Sequence, residues 1–150
     1  MKKILIIDDD MDMCRLLSQF LQRKGFETDY AHTAAKGLTK FSENKFDLVL
    51  CDFRLGDMDG RQVLQEIKKQ RPEVPVIIIT GYSDIKMAVE VMRHGAFDYI
   101  TKPLVPEEVI NLINRAIEQG SDGSLTSKAT PQAGNKKKPI ESSDIFLVGT

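Results

Sequence analysis

The sequence has few of the residues that mark specialised classes of protein. Among its 150 residues there is no tryptophan, and only two cysteines, Cys14 and Cys51, occur. Two cysteines this far apart do not have the spacing of a zinc site. We therefore expect both to be small buried hydrophobic side chains rather than metal ligands.

Long apolar runs and an excess of one charge are also missing. Runs such as Val76–Ile79 are far too short to span a bilayer, and the apolar stretch near the N-terminus stops at Asp8, before it has the length of a secretory signal. Lys and Arg number 21 and Asp and Glu number 22, a net charge of −1, so no basic excess favours nucleic-acid binding. We expect a cytoplasmic protein with no membrane contact.

What the sequence does contain is a regular alternation of short strands and amphipathic helices. Each strand-like segment is followed by apolar residues at helical spacing, and the last helix is predicted to begin at Pro106. The five strand-like segments are Lys3–Ile7, Glu27–Ala31, Asp47–Cys51, Pro75–Ile79 and Phe97–Ile100. This alternation predicts an α/β fold, a doubly wound five-stranded parallel sheet with helices on both faces.

The composition changes after Ile117. Residues 1–118 are predicted to form the folded domain. Residues 119–139 hold ten Gly, Ser, Thr or Pro in 21 positions, which predicts a flexible linker. Residues 140–150 become apolar again and are too few to fold alone, so we interpret them as the truncated start of a following domain.

Polar residues stand where the predicted strands end. In a doubly wound sheet, working residues gather at the carboxyl ends of the strands, which directs attention to Asp8, Asp9, Asp52, Thr80 and Lys102. Converging carboxylates repel one another unless a cation is present, and Mg²⁺ prefers such oxygen ligands. Carboxylate, metal, hydroxyl and lysine together suit phosphoryl transfer. The alternative is that the aspartates merely cap the helices that follow them.

With these motifs the chain resembles the receiver domain of bacterial two-component response regulators, over residues 1–118. The acidic pair is in IIDDD, the phosphoacceptor segment is LVLCDFRLGDMDG, the switch threonine is in IIITGYSD, and the switch aromatic and the lysine are in FDYITKP. The resemblance implies a flavodoxin-like (βα)5 sheet with strand order 2-1-3-4-5. It departs from the family at Gly56, where proline is common.

The resemblance also implies roles for these residues. A histidine kinase would phosphorylate Asp52, and Mg²⁺, or Mn²⁺ in its place, would be held by Asp9, Asp52 and the backbone carbonyl of Arg54, with Asp8 reaching it through water. Lys102 would pair with Asp52 or its phosphate. No turnover of an external substrate is expected, so the domain is not an enzyme in that sense.

Two further residues would report the phosphorylation. The Thr80 hydroxyl would move to bind a phosphoryl oxygen, and Tyr99 would rotate into the vacated space. A peptide bond in the cis form is expected between Lys102 and Pro103. His32 and His94 are expected to lie away from the acidic cluster.

The tail SSDIFLVGT resembles the opening of the AAA+ ATPase domain of sigma-54-dependent activators, the nitrogen-regulation type. The full-length parent would then bind DNA and sigma-54 polymerase, whereas this chain has no Walker A sequence and no basic recognition helix. The receiver would pair with itself as a homodimer. Two alternatives stay open to test: a phosphorylation-independent interaction domain and a phosphatase of the haloacid dehalogenase type. A flavin-binding module is discounted, because Asp8 and its neighbours after the first strand would repel a phosphate.

Overall fold

The computed structural model of the chain describes residues 1–81 and 85–122. Strands and helices alternate strictly, as the sequence predicts. In chain order they are β1 (Lys3–Ile7), α1 (Met11–Arg23), β2 (Glu27–Ala31), α2 (Ala34–Glu43), β3 (Leu48–Asp52), α3 (Gly60–Gln70), β4 (Val76–Thr80), α4 (Ile85–Arg93), β5 (Asp98–Thr101) and α5 (Pro106–Asp122). No helix of the described part has the length and the apolar character that crossing a membrane requires.

The five strands form one parallel sheet in the order β2-β1-β3-β4-β5. The predicted fold class and strand order are therefore confirmed. The order reverses between β1 and β3, which lie side by side at the centre of the sheet. Doubly wound sheets carry their functional sites outside the carboxyl ends of the strands at such a switch point.

Burial explains why the central strands are the most apolar. Every residue of β3 and β4 is buried, because helices cover both faces of the sheet. The edge strand β2 is polar and half-exposed. The strands β3, β4 and β5 each begin and end one residue later than the predicted segments. Their last residues, Asp52, Thr80 and Thr101, are themselves paired in the sheet.

The helices begin at side chains that satisfy free backbone N–H groups. Asp10 caps α1, Thr33 caps α2, and Asp59 forms a capping box with Gln62 at α3. After α1, Gly25 has a φ of 93°, a backbone conformation that glycine adopts without steric cost.

Two apolar cores lie on opposite faces of the sheet. One packs side chains of α2, α3 and α4 against the sheet, and the other packs those of α1 and α5. The first includes Phe41, Phe46, Leu64, Ile67 and Ile78. The second includes Ile4, Ile6, Leu21, Leu50 and Ile77.

Some details of the helices differ from the sequence pattern. Leu16, Val89 and Met92, which share the apolar spacing of α1 and α4, are exposed by 66%, 54% and 41%.

Residues 119–122 are helical rather than linker, because linker composition does not oppose one more turn once the rest of α5 is packed. Met1–Ile117 form one compact unit. The rest of the predicted linker and residues 140–150 lie outside the described residues.

Candidate functional site

The three carboxylates singled out in the sequence meet at the carboxyl edge of the sheet. Ile7 of β1 is in register with Cys51 of β3, so the residues that follow them, Asp8 and Asp52, are neighbours. Together with Asp9 they offer one oxygen each within 4.8 Å of one another. Asp8 and Asp52 are buried while Asp9 is exposed, so the cluster is open to solvent on one side.

Lys102 supplies the positive charge of the site. Its Nζ lies 3.5 Å from Oδ2 of Asp52 and 3.9 Å from Oδ2 of Asp8. The backbone places it there, because Thr101 at the end of β5 is in register with Thr80 and the Lys102 N–H donates to the Thr80 carbonyl at 2.9 Å. The predicted cis peptide bond between Lys102 and Pro103 is present.

Burial makes the ionised form of both inner carboxyls costly. Loss of solvent raises the pKa of Asp8 to about 7; the N–H of Asp10 opposes this rise and the charge of Asp52 adds to it. Burial also raises the pKa of Asp52, against the opposing effects of Lys102 and of the Arg54 N–H. One ammonium group therefore does not fully compensate the two buried carboxyls.

The residues present fit a divalent metal. Oδ1 of Asp8 accepts a hydrogen bond from the Asp10 N–H at 3.0 Å, but its Oδ2 is buried and has no hydrogen-bond partner among the residues that the structure describes. A buried carboxylate oxygen without a donor is costly, and a cation removes that cost. Oxygen donors from one or two carboxylates are the ligands that Mg²⁺ prefers.

The predicted switch residues lie on the strands beside the cluster. The Thr80 side chain is buried at the end of β4, and its hydroxyl is directed to the carbonyl of Ile100, at 3.5 Å, rather than to Asp52. Tyr99 on β5 is 37% exposed. It lines a cavity of about 410 Å³ together with Glu108 and Arg115.

Two contacts of the site, those of His32 and Cys14, were not foreseen in the sequence. His32 was expected to lie away from the cluster, but its Nδ1 is 3.3 Å from the backbone carbonyl of Asp8, since β2 ends beside β1. The Cys14 thiol donates to the same carbonyl at 3.3 Å, and burial raises its pKa to about 12. Asp10 has the capping role that the alternative interpretation gave to all three N-terminal aspartates.

The sequence matches the family described as the response regulator receiver domain over residues 4–114. The match covers more than two thirds of the chain, and the chain belongs to this family.

Curated relatives and solved structures agree with this assignment. The chain is 45% identical to the transcriptional regulatory protein ZraR of Klebsiella oxytoca over 133 residues, 87% of this chain and 30% of that protein. It is 38% identical to the regulatory protein AtoC of Escherichia coli over 116 residues, 77% of this chain and 25% of AtoC. The chain thus spans less than a third of these two relatives.

Among solved structures, a receiver domain protein from Clostridium thermocellum superposes with a TM-score of 0.78 at 35% identity, over 81% of this chain and 98% of that one. NtrX from Brucella abortus in complex with ADP superposes with a TM-score of 0.77 at 36% identity, over 85% of this chain and 31% of NtrX.

Proposed function

We propose that this receiver domain accepts a phosphoryl group on Asp52 from a phosphorylated histidine of a histidine kinase. The observation that carries the proposal is the position of Asp52, buried at the end of β3 with Lys102 Nζ 3.5 Å from its Oδ2 and two further carboxylates beside it. An oxygen of Asp52 attacks phosphorus, the phosphorus–nitrogen bond breaks, and the histidine nitrogen keeps the electron pair and takes a proton from solvent.

The residues around Asp52 prepare this step. A nucleophilic carboxylate must be ionised. Burial raises the pKa of Asp52, and both Lys102 and the Arg54 N–H oppose this rise and so favour the ionised form. Mg²⁺, or Mn²⁺ in its place, would be held by Asp9, Asp52 and the Arg54 carbonyl, with Asp8 acting through water. When bound, the metal supplies positive charge for the phosphoryl oxygens.

The phosphoryl group then changes the population of two states of the domain. It can shift an equilibrium only through contacts that it makes better in one state. The Thr80 hydroxyl, now directed to the Ile100 carbonyl, turns to a phosphoryl oxygen in the second state. Tyr99, half-exposed on the neighbouring strand, turns inward.

The longer regulator around this domain is also part of the proposal. The receiver acts in the cytoplasm, pairs with a second receiver, and controls a sigma-54-type activator module that binds DNA and sigma-54 polymerase. The names of ZraR and AtoC as regulatory proteins and the resemblance of the tail support this assignment.

The test is incubation with Mg²⁺ and a small phosphodonor, followed by intact-mass measurement. We expect the mass of one phosphoryl group to be added to the parent and to an Asp29→Asn control, and not to Asp52→Asn. The control removes the carboxylate of Asp29 on β2, which is paired with Lys40 of α2, away from the site. An unchanged mass increment in Asp52→Asn would disprove the mechanism.

The same experiment separates the competing functions. A parent that never gains the phosphoryl mass would indicate a phosphorylation-independent interaction domain. Continuous release of phosphate from a phosphate monoester would indicate a phosphatase. We expect neither, because the residues for one phosphoryl transfer to Asp52 are all present.

A further inference from the structure

The loop between β3 and α3 carries the main-chain groups closest to the acceptor. At its start the Phe53 N–H donates to the Ile79 carbonyl at 2.8 Å, and the Gly60 N–H at its end donates back to the Phe53 carbonyl at 2.7 Å. Between them lies Arg54, whose N–H bonds to the Asp52 carboxylate and which forms an isolated antiparallel bridge with Asp59. The path of this loop therefore decides where the Arg54 main chain stands relative to Asp52.

The tip of the loop is fastened to a different helix. Oδ1 of Asp57 accepts from the Ala34 N–H at 3.0 Å, and Oδ2 accepts from the Ala35 N–H at 2.9 Å. These are the first two N–H groups of α2. The next one, of Lys36, is satisfied by the Thr33 side chain at 3.1 Å. Asp57 thus occupies an anion-binding helix terminus across 23 residues of sequence.

The residue beside Asp57 explains why the loop needs such an anchor. Gly56 is exposed, and a Cβ added there would meet nothing within 4 Å. Its neighbours therefore place little restraint on this position, and a glycine backbone has more conformations to lose than any other residue. Two charge-assisted hydrogen bonds at the next position limit that freedom.

We propose that Asp57 is a positioning residue, which fixes the β3–α3 loop on α2 and thereby holds the Arg54 main chain in place for the divalent cation and for phosphorylation of Asp52. The inference rests on the proposed function, in which the Arg54 carbonyl is a metal ligand. Groups that orient ligands in this way affect metal affinity although they do not touch the metal.

The direct test is a titration of the full chain with Mn²⁺, in which the electron paramagnetic resonance signal of free Mn²⁺ measures how much metal is bound. We expect Asp57→Ala to raise the dissociation constant about tenfold. Asp57→Asn, which keeps one acceptor oxygen, should have a smaller effect. Asp9→Asn serves as the variant with a lost ligand. An unchanged dissociation constant in Asp57→Ala would overturn the proposal.

A matched control separates positioning from helix capping. Thr33→Ala removes the other cap of the same helix terminus and leaves the loop untouched. We expect Thr33→Ala and Asp57→Ala both to lower the melting temperature, but only Asp57→Ala to weaken Mn²⁺ binding. If the two variants weaken Mn²⁺ binding equally, Asp57 acts only as a helix cap and the proposal is wrong.

A second substitution tests whether restraint of the loop alone restores Mn²⁺ binding. Gly56→Ala reduces the number of backbone conformations open to the loop, and the added methyl meets no neighbour within 4 Å. We therefore expect it to restore part of the Mn²⁺ affinity of Asp57→Ala. In phosphorylation assays, Asp57→Ala should raise the Mg²⁺ concentration for half-maximal rate more than it lowers the maximal rate. Failure of the parent to be phosphorylated would count against the proposed function alone, because the Mn²⁺ measurements judge Asp57 independently.

Discussion

Asp8 bears an electrostatic cost in the folded state. It is buried, one of its oxygens has no donor among the described residues, and its pKa is raised to about 7 from a usual value of 3.8. The folded protein therefore binds the Asp8 proton more tightly than the unfolded chain does. A bound cation would stabilise the ionised Asp8 carboxylate and so remove this electrostatic cost, which favours cation binding at the site.

The pH dependence of stability follows from the sign of that shift. Without divalent cations, the free energy of unfolding should fall as the pH rises from about 4 to about 7, since the folded state holds a proton that the unfolded state releases. Above pH 7 this contribution is constant. In Asp8→Asn, the free energy of unfolding should decrease less with rising pH. The substitution should stabilise the metal-free protein at pH 8 by roughly 1–3 kcal/mol.

Denaturant unfolding at several pH values in the presence of a chelator measures this effect. Glu27→Gln is the control, because Glu27 is exposed at the opposite end of the sheet, in register with Lys3. A slope in Asp8→Asn equal to that of the parent would mean that another group carries the pH dependence.

The sequence was sufficient to predict the cluster but not the residues that support it. Asp8, Asp9, Asp52 and Lys102 follow the predicted strand segments, and parallel strands end at one edge, so these residues converge if their strands are neighbours. The strand order itself came from the resemblance to receiver domains. The contact of His32 with the Asp8 carbonyl depends on how far β2 extends beside β1. No local pattern contains that information.

At the scale of elements, Arg71 connects the ends of two helices. It follows α3, and its guanidinium donates to the carbonyls of Phe41 at 2.6 Å and Asn44 at 2.9 Å, at the C-terminus of α2. The same group lies 4.4 Å from the centre of the Phe41 ring. One side chain thus satisfies carbonyls that the helix leaves unpaired and adds a cation–π contact.

Replacing this residue should destabilise the fold. We expect Arg71→Ala to lower the free energy of unfolding by about 2 kcal/mol, and Arg71→Lys to lose part of that because an ammonium lacks the planar fork. Arg61→Ala is the matched control: the Arg61 side chain is half-exposed, 3.9 Å from Asp59, and its loss should cost under about 0.5 kcal/mol. Equal losses in denaturant unfolding would show that Arg71 has no capping role.

Helix faces were predicted less well than helix positions. In α1 the buried residues are Cys14, Leu17, Ser18 and Leu21, a regular stripe that contains a serine and leaves Leu16 outside. In α4, Ala88 and Val91 are buried. Apolar character alone does not distinguish a residue that packs on the sheet from one that faces solvent, because small and weakly polar residues fit the closest approach of helix to sheet.

At the scale of the whole molecule, the exposed apolar side chains offer a surface for pairing. Val89 and Met92 on α4, Tyr99 on β5 and Val105 before α5 are exposed by 54%, 41%, 37% and 44%. If the phosphorylated receiver pairs with itself, as we propose, this is the surface that the movement of Tyr99 would alter.

Charge on this surface should weaken the pairing. In the presence of a beryllofluoride phosphate mimic, we expect Val89→Asp to raise the dimer dissociation constant roughly tenfold or more, as measured by sedimentation velocity. Leu16→Asp, at an exposed apolar residue of α1, should leave it unchanged. If both substitutions or neither weaken the dimer, the pairing surface lies elsewhere.

The strand order has a consequence for how such copies can meet. It makes β2 and β5 the two edge strands of the sheet. The unpaired backbone groups of an edge strand can pair with a strand of another chain and so extend the sheet without limit. Both strands carry acidic residues, Glu27 and Asp29 on one and Asp98 on the other. Charged side chains on an edge strand oppose its pairing with another strand. Copies of this domain are therefore directed to associate through helices, in pairs that close rather than in fibres that grow.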